Sequence, residues 1–118
     1  MANNHCVSIT GAMALVVLGT SAAAAADLAK GKALYDLWCH DCHAPLTGMA
    51  MFPPAGSYRL QERYQGTKPA ALTERTDLDP DLVRAVVRQG LTIMPPTRKT
   101  EVTDAELDAI IAYLWRPR

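Results

Sequence analysis

The sequence is poor in aromatic residues and cysteines, and it has no excess of charge of either sign. Aromatic side chains make up 6% of the 118 residues, with a single Phe and three Cys, and 12 Lys and Arg balance 12 Asp and Glu. A chain of this length forms one small domain. Without a cationic surplus it lacks the broad positive field that nucleic acid requires, so we predict no nucleic-acid partner.

Charged residues are also absent from the first part of the chain. No Asp, Glu, Lys or Arg occurs between Cys6 and Ala26, and Ala24 and Ala26 occupy the positions of the small-residue pair before a signal-peptidase site. We therefore predict a cleavable signal peptide over residues 1–26, export to the periplasm, and a mature domain over residues 27–118 without a stable membrane span. The alternative is a retained anchor, because an uncharged run of this length is just able to cross a bilayer of about 30 Å.

The mature domain is predicted to be all-α, because its apolar residues recur at helical spacing and show no strand-like alternation. Two helices have strong signals at their ends. One begins after the N-cap Asp79, which is followed by proline, and stops at Gly90. The other opens with the capping box of Thr103 and Glu106 and ends before Pro117.

A further helix is predicted ahead of these two, over about residues 29–38 with Asp27 as its N-cap. Its apolar stripe consists of Gly31, Leu34, Tyr35 and Trp38. The long segment that follows is rich in Pro and Gly, and a structureless loop of that size is unusual in a small domain. Residues 58–64 or 69–75 are each able to supply a short helix within it.

The most informative segment is the Cys-x-x-Cys-His motif of Cys39, Cys42 and His43. This spacing captures both vinyl groups of a haem as thioethers and places an imidazole next to the iron. A thioredoxin-type redox pair needs a strand–helix context, which the sequence does not predict here. A zinc site needs two more ligands, and only His5 and Cys6 of the predicted signal peptide remain. A plain disulfide is the remaining alternative. We predict one covalently attached haem c, with Cys39 and Cys42 as the thioether residues and His43 as an axial ligand.

The second axial ligand of the iron is predicted to be Met94. It follows the helix stop at Gly90 and precedes two prolines, whose fixed φ angles stiffen the loop. Met49 and Met51 follow the motif closely and are predicted to pack against the porphyrin edge instead. Met94 is therefore the candidate that can reach the iron from the other face.

Other residues are candidates for the surroundings of the haem. A ligating imidazole usually donates its second ring N–H to a carbonyl, and Pro53 or Pro54 is placed to offer one, unless the pair forms an ordinary turn. Trp38, Tyr58 and Tyr64 either line the haem crevice or belong to the core with a satisfied polar edge.

In its order of motifs the mature chain resembles the small class I c-type cytochromes. The matching features are Gly31 and Tyr35 before the Cys-x-x-Cys-His motif, the Met94-Pro95 loop, and the terminal helix that contains Leu107, Ile110, Ile111, Tyr113 and Leu114. The resemblance implies a small fold of three to five helices wrapped around one covalent haem. It also implies that Gly31 and Tyr35 pack closely against Ile110 and Tyr113.

These features together predict an exported electron carrier and not an enzyme. The carrier is expected to exchange single electrons with redox protein partners. Met/His ligation is expected to give a comparatively high reduction potential. Arg98 and Lys99 either steer a partner or are ordinary solvated charges.

Two other functions are kept as alternatives. Residues 75–78 and 88–101 resemble the cytochrome subunits of flavin-dependent oxidases of phenolic compounds, such as 4-cresol dehydrogenase, which implies a flavoprotein dehydrogenase as a permanent partner. The other alternative is a ligand-binding or peroxidatic haem protein with an open sixth site. Carbon monoxide binding by the reduced protein separates this last function from electron transfer.

Overall fold

The computed structural model describes residues 19–48 and 51–115, and within these ranges all regular elements are helical. The helices are α1 Gly19–Trp38, α2 His40–His43, α3 Ala55–Tyr64, α4 Pro80–Gln89 and α5 Asp104–Leu114, with a 3₁₀ turn at Leu72–Glu74. The predicted all-α fold of three to five helices is confirmed. Among the described residues, no helix has both the length and the apolar character needed to cross a membrane.

Helix α1 starts well before its predicted beginning at Ala29. It runs from Gly19 through the alanine-rich stretch, so Asp27 lies inside the helix and is not its N-cap. Alanine has the highest intrinsic helix propensity, so the run continues the helix toward the N-terminus. Of the predicted apolar stripe, Tyr35 is buried, whereas Trp38 is 49% exposed.

The ends of α4 and the start of α5 agree with the sequence prediction. The Asp79 carboxylate accepts a hydrogen bond from the Leu82 N–H at 2.8 Å, and Gly90, with φ of 74°, terminates α4. Thr103 and Glu106 form the reciprocal capping box of α5. Helix α5 ends at Leu114, and Pro117, its predicted stop, lies outside the described residues.

Both short helices that were possible in the middle segment are present, as α3 and the 3₁₀ turn. The segment that follows them is held by Arg75, whose side chain is buried and donates two hydrogen bonds to the Asp77 carboxylate. The Arg75 guanidinium also lies over the Tyr64 ring, 4.8 Å from its centroid. Tyr64 therefore supports the loop between α3 and α4 through a cation–π contact.

The core forms where α1 crosses α5. A Cβ on Gly31 would lie 2.1 Å from the Ala109 carbonyl oxygen, so only glycine permits this approach. Next to it the Tyr35 and Tyr113 rings are 5.6 Å apart. The expected close crossing is confirmed, with Ala109 and Tyr113 facing the glycine. The core consists of Tyr35, Val102, Leu107, Ile110, Ile111, Tyr113 and Leu114.

Candidate functional site

The Cys-x-x-Cys-His motif forms a single helical turn that continues directly from α1. The Cys39 N–H donates to the Tyr35 carbonyl at 2.9 Å, and the His43 N–H donates to the Cys39 carbonyl at 3.0 Å. Cys39 is half-buried and packs against the core, whereas Cys42 is exposed, and the two do not form a disulfide with each other. Residues three and four apart lie on one side of a helix, so the two sulfurs and the imidazole belong to one short surface.

Two other helices fix the backbone at the end of this turn. The Tyr35 hydroxyl, on α1, donates to the His43 carbonyl at 3.1 Å. The Ser57 hydroxyl, on α3, donates to the Ala44 carbonyl at 2.7 Å, and Ser57 is fully buried. The carbonyls of His43 and Ala44 are thus hydrogen-bonded by two different helices, α1 and α3. The direction of the His43 side chain is therefore set by packing between α1, α2 and α3.

The His43 ring lies directly against Gly56 at the start of α3. A Cβ on Gly56 would stand 2.6 Å from His43 Cε1 and 2.7 Å from the Cys42 carbonyl oxygen. His43 Nδ1 is buried and has no hydrogen-bond partner among the described residues. The predicted bond to Pro53 or Pro54 is therefore not formed; the Pro54 carbonyl accepts from the Tyr58 N–H in the first turn of α3.

Burial shifts the pKa of two residues of the motif, Cys39 and His43. It lowers the pKa of His43, which favours the neutral imidazole that a metal requires. Burial, with a smaller effect from the charge of Cys42, raises the pKa of Cys39 to about 11. A thioredoxin-type nucleophile needs the opposite shift of its thiol pKa. The environment of Cys39 is therefore unfavourable for the redox-pair interpretation.

Met94 lies on a separate, tightly held loop between α4 and α5. Leu91 and Met94 exchange both backbone hydrogen bonds, at 3.0 and 2.9 Å. Gly90 faces the Met94 carbonyl oxygen so closely that a Cβ would come within 2.7 Å of it. The stiff loop predicted from the two following prolines is thus present, and the Met94 side chain is half-buried.

The other methionines are not arranged in the same way. Met51 is 86% exposed, as is Phe52 beside it. Met49, which was predicted with Met51 to pack against a porphyrin edge, lies outside the described residues. Tyr58 and Trp38 are each about half exposed, and Tyr64 is covered by Arg75.

Exposed apolar side chains occur in the segments next to the candidate ligands, and this distribution fits a large apolar group. Helix α4 has no buried residue, although Val83 and Val87 pack against the same core as Cys39. The exposed apolar residues in these segments are Leu46, Met51, Phe52, Leu82, Leu91 and Ile93. A porphyrin needs such an apolar wall together with two thiols and an imidazole, so the residues present suit it.

Sequence reasoning missed Gly56, Ser57 and Arg88. Gly56 and Ser57 lie in the first turn of α3, and the two prolines just before that helix are its one local start signal. Their contacts with the motif depend on how α3 packs, which no local pattern records. Arg88 belongs to the stretch 88–101, whose resemblance does not indicate that its side chain joins three chain segments.

Replacing Gly56 with alanine is expected to displace the His43 ring, because its neighbours are a ring and a carbonyl rather than a flexible side-chain end. Overpacking of this kind costs about 1–3 kcal/mol in unfolding free energy. We expect a lower thermal midpoint together with a changed visible absorption spectrum of the haem-loaded protein.

Gly66→Ala is the matched control for this substitution. Gly66 has φ of 78°, and a Cβ added to it would meet no atom within 4 Å, so its replacement adds backbone strain without touching the motif. We expect it to lower the thermal midpoint and leave the haem spectrum unchanged. Identical spectra for Gly56→Ala and the unmodified protein would show that Gly56 does not position His43.

A known protein family matches most of the chain. The family model described as cytochrome c oxidase, cbb3-type, subunit III, matches residues 26–114. This range contains the Cys-x-x-Cys-His turn, the Met94 loop and all of α3 to α5. The comparisons with curated proteins and with solved structures find no match.

Proposed function

This chain belongs to the family of cytochrome c oxidase, cbb3-type, subunit III, and on this basis we propose that His43 and Met94 hold a haem iron. Membership of the family makes the chain a class I monohaem c-type cytochrome and a haem-based electron carrier. The family implies a covalently bound haem c. Cys39 and Cys42 are proposed as the thioether residues. When bound, the haem supplies a centre that gains and loses one electron.

One observation carries this proposal: the half-buried His43 imidazole, whose lowered pKa favours the neutral form, shares one helical turn with two thiols. Tyr35 and Ser57 hold the backbone of that turn, and Gly56 packs against the ring. These contacts fix the orientation of the imidazole in the folded chain. Rigid ligands change their positions little when the iron gains or loses an electron, and this favours electron transfer.

Met94 is proposed to complete the ligand set from its own loop. The paired hydrogen bonds with Leu91 and the close packing of Gly90 restrict the backbone on which the thioether is carried. Met/His ligation gives a comparatively high reduction potential. An iron with two protein ligands also leaves no site for a further ligand, which separates an electron carrier from a ligand-binding or peroxidatic protein.

We propose further that the protein is exported to the periplasm after cleavage following Ala26. The proposal is supported by the uncharged apolar run and by the small residues Ala24 and Ala26. Covalent haem attachment to the motif is compatible with this location. The mass of the secreted product would report both cleavage and haem addition.

The electron partners are proposed to be other redox proteins. Arg98 and Lys99 are both exposed, but Arg98 pairs with Glu101 and Lys99 with Asp104, at 2.9 and 2.7 Å. Exposed pairs of this kind contribute little attraction at a distance. Docking is therefore expected to depend weakly on these two cations.

A second candidate function is the electron-accepting subunit of a flavoprotein dehydrogenase. It is favoured by large apolar side chains left exposed at the ends of α1 and α5, since aromatic residues are enriched at protein interfaces. These are Leu37, Trp38 and Trp115, at 72%, 49% and 64% exposure. Co-purification of a flavoprotein at high salt would identify a permanent subunit, whereas a free carrier would be isolated alone.

A redox titration of the haem-loaded protein tests electron transfer itself. We expect a single reversible one-electron transition and no binding of carbon monoxide by the reduced protein at neutral pH. Rapid carbon monoxide binding by the unmodified protein would instead support the open-site alternative.

A further inference from the structure

The guanidinium of Arg88 joins three segments of the chain around the Met94 loop. Arg88 lies in the last turn of α4, and its side chain is 17% exposed. Its Nη1 donates to the Thr97 carbonyl at 3.1 Å, and its Nη2 donates to the Asp104 carboxylate at 2.9 Å. One side chain thus connects α4, the end of the loop, and the first residue of α5.

The loop is closed at both of its ends against the last turn of α4. At its start, the Gly90 N–H donates to the Val86 carbonyl at 2.8 Å. At its end, the Thr97 N–H donates to the Val87 carbonyl at 2.8 Å, while the Thr97 carbonyl accepts from Arg88. Met94 lies between these two closures, so its position depends on both.

We propose that Arg88 is a positioning residue that keeps the Met94 loop closed, an inference that rests on the proposed ligand role of Met94. Thioether sulfur is a neutral, weak ligand, so its hold on the iron depends on how rarely the loop opens. Opening must break the bond from Arg88 to the Thr97 carbonyl, and the bond from Arg88 to Asp104 holds the guanidinium in the position from which it makes that bond. Bonds from a charged donor that is mostly buried are stronger than neutral surface bonds.

The same helix carries a matched control. Arg84 lies one turn earlier on α4 and donates to the Asp108 carboxylate on α5, as Arg88 donates to Asp104. Its side chain is 41% exposed, and its partner belongs to α5 and not to the loop. Arg84→Gln therefore removes an α4–α5 ion pair, and Arg88→Gln removes an ion pair together with the bond to Thr97.

Imidazole binding to the oxidised, haem-loaded protein tests the proposal, because imidazole occupies the iron only when Met94 leaves. We expect Arg88→Gln to raise the apparent imidazole affinity by about tenfold, from the loss of hydrogen bonds by a charged group. Arg84→Gln is expected to change it by less than about twofold. Equal shifts for the two variants, or no shift for Arg88→Gln, would overturn the role of Arg88.

Further variants separate this inference from the ligand assignment on which it rests. Met94→Ala gives the imidazole affinity expected when the proposed ligand is absent. If this variant binds imidazole no better than the unmodified protein, the assignment of Met94 as a ligand fails. If Met94→Ala opens the site and Arg88→Gln does not, only the Arg88 inference fails. If Arg88→Gln does not fold, imidazole binding is measured for Arg88→Lys and Asp104→Asn instead. Each is expected to have a higher imidazole affinity than Arg84→Gln, and the proposal is refuted if either does not.

Discussion

Replacing both Cys39 and Cys42 with serine is expected to abolish covalent haem attachment. Serine keeps the size and position of each side chain but provides no sulfur to form a thioether. Made in a host competent for cytochrome maturation, the unmodified chain should carry the added mass of one haem after denaturation. The double variant should weigh only its amino acids, and its denatured band should show no haem-dependent peroxidase stain.

The same double variant is expected to lose most of its folding stability. A domain this small buries limited apolar surface, so a bound cofactor contributes much of its stability. Contacts within the protein alone bury no residue of α4 and leave Leu82 60% exposed, so the haem is expected to cover this helix. We expect a weaker and broader thermal transition by circular dichroism, as in small domains whose folding is coupled to a bound group.

Single serine variants are the controls for this experiment. Each of Cys39→Ser and Cys42→Ser leaves one thiol, which is sufficient for a single thioether. We expect both to retain some covalent haem, with an altered spectrum. A double variant that still holds haem covalently, or an unmodified chain that is colourless in a competent host, would contradict the assignment of both cysteines.

Replacing Met94 with alanine is expected to open the sixth position of the iron. Met94 is the one methionine of the described residues that lies on a loop with a fixed backbone. The reduced variant should bind carbon monoxide rapidly, whereas the unmodified protein should not. Because methionine ligation raises the potential, its loss should lower the potential by about 0.1 V or more, within the roughly 0.8 V range that axial ligands set.

Met51→Ala is the matched control, since it removes the same side chain from an 86% exposed position. It is expected to leave carbon monoxide binding unchanged and to shift the reduction potential much less than Met94→Ala does, because Met51 is not proposed as an iron ligand. If Met51→Ala and Met94→Ala behave alike, Met94 is not an axial ligand. Carbon monoxide binding by the unmodified protein would point instead to a site that is open from the start.

Local signals predicted the parts of the fold that depend on neighbouring residues. The N-cap of Asp79 and the capping box of Thr103 with Glu106 place the starts of α4 and α5, and in each case the partner is the residue three positions on. The same reasoning misplaced the start of α1. Asp27 is a good N-cap residue, but the alanine run before it is a better helix, so the helix extends through both.

The segment between the motif and α4 was the least predictable part of the chain. Its composition allowed two short helices without saying how either would pack. The structure shows α3 against the motif, through Gly56 and Ser57, and Arg75 holding the following loop over Tyr64. None of these contacts has a periodic pattern that a sequence window can detect.

By itself the sequence determined the motif on which haem attachment is proposed, because the spacing of Cys39, Cys42 and His43 on one turn is a local property. It also determined the stiffness of the Met94 loop, which follows from Gly90 and the prolines. Tertiary structure alone decided what surrounds them: Ser57 on the Ala44 carbonyl, Gly56 on the imidazole, Arg88 on Thr97. Such contacts join residues distant along the chain, and only the packing of helices brings their atoms within bonding distance.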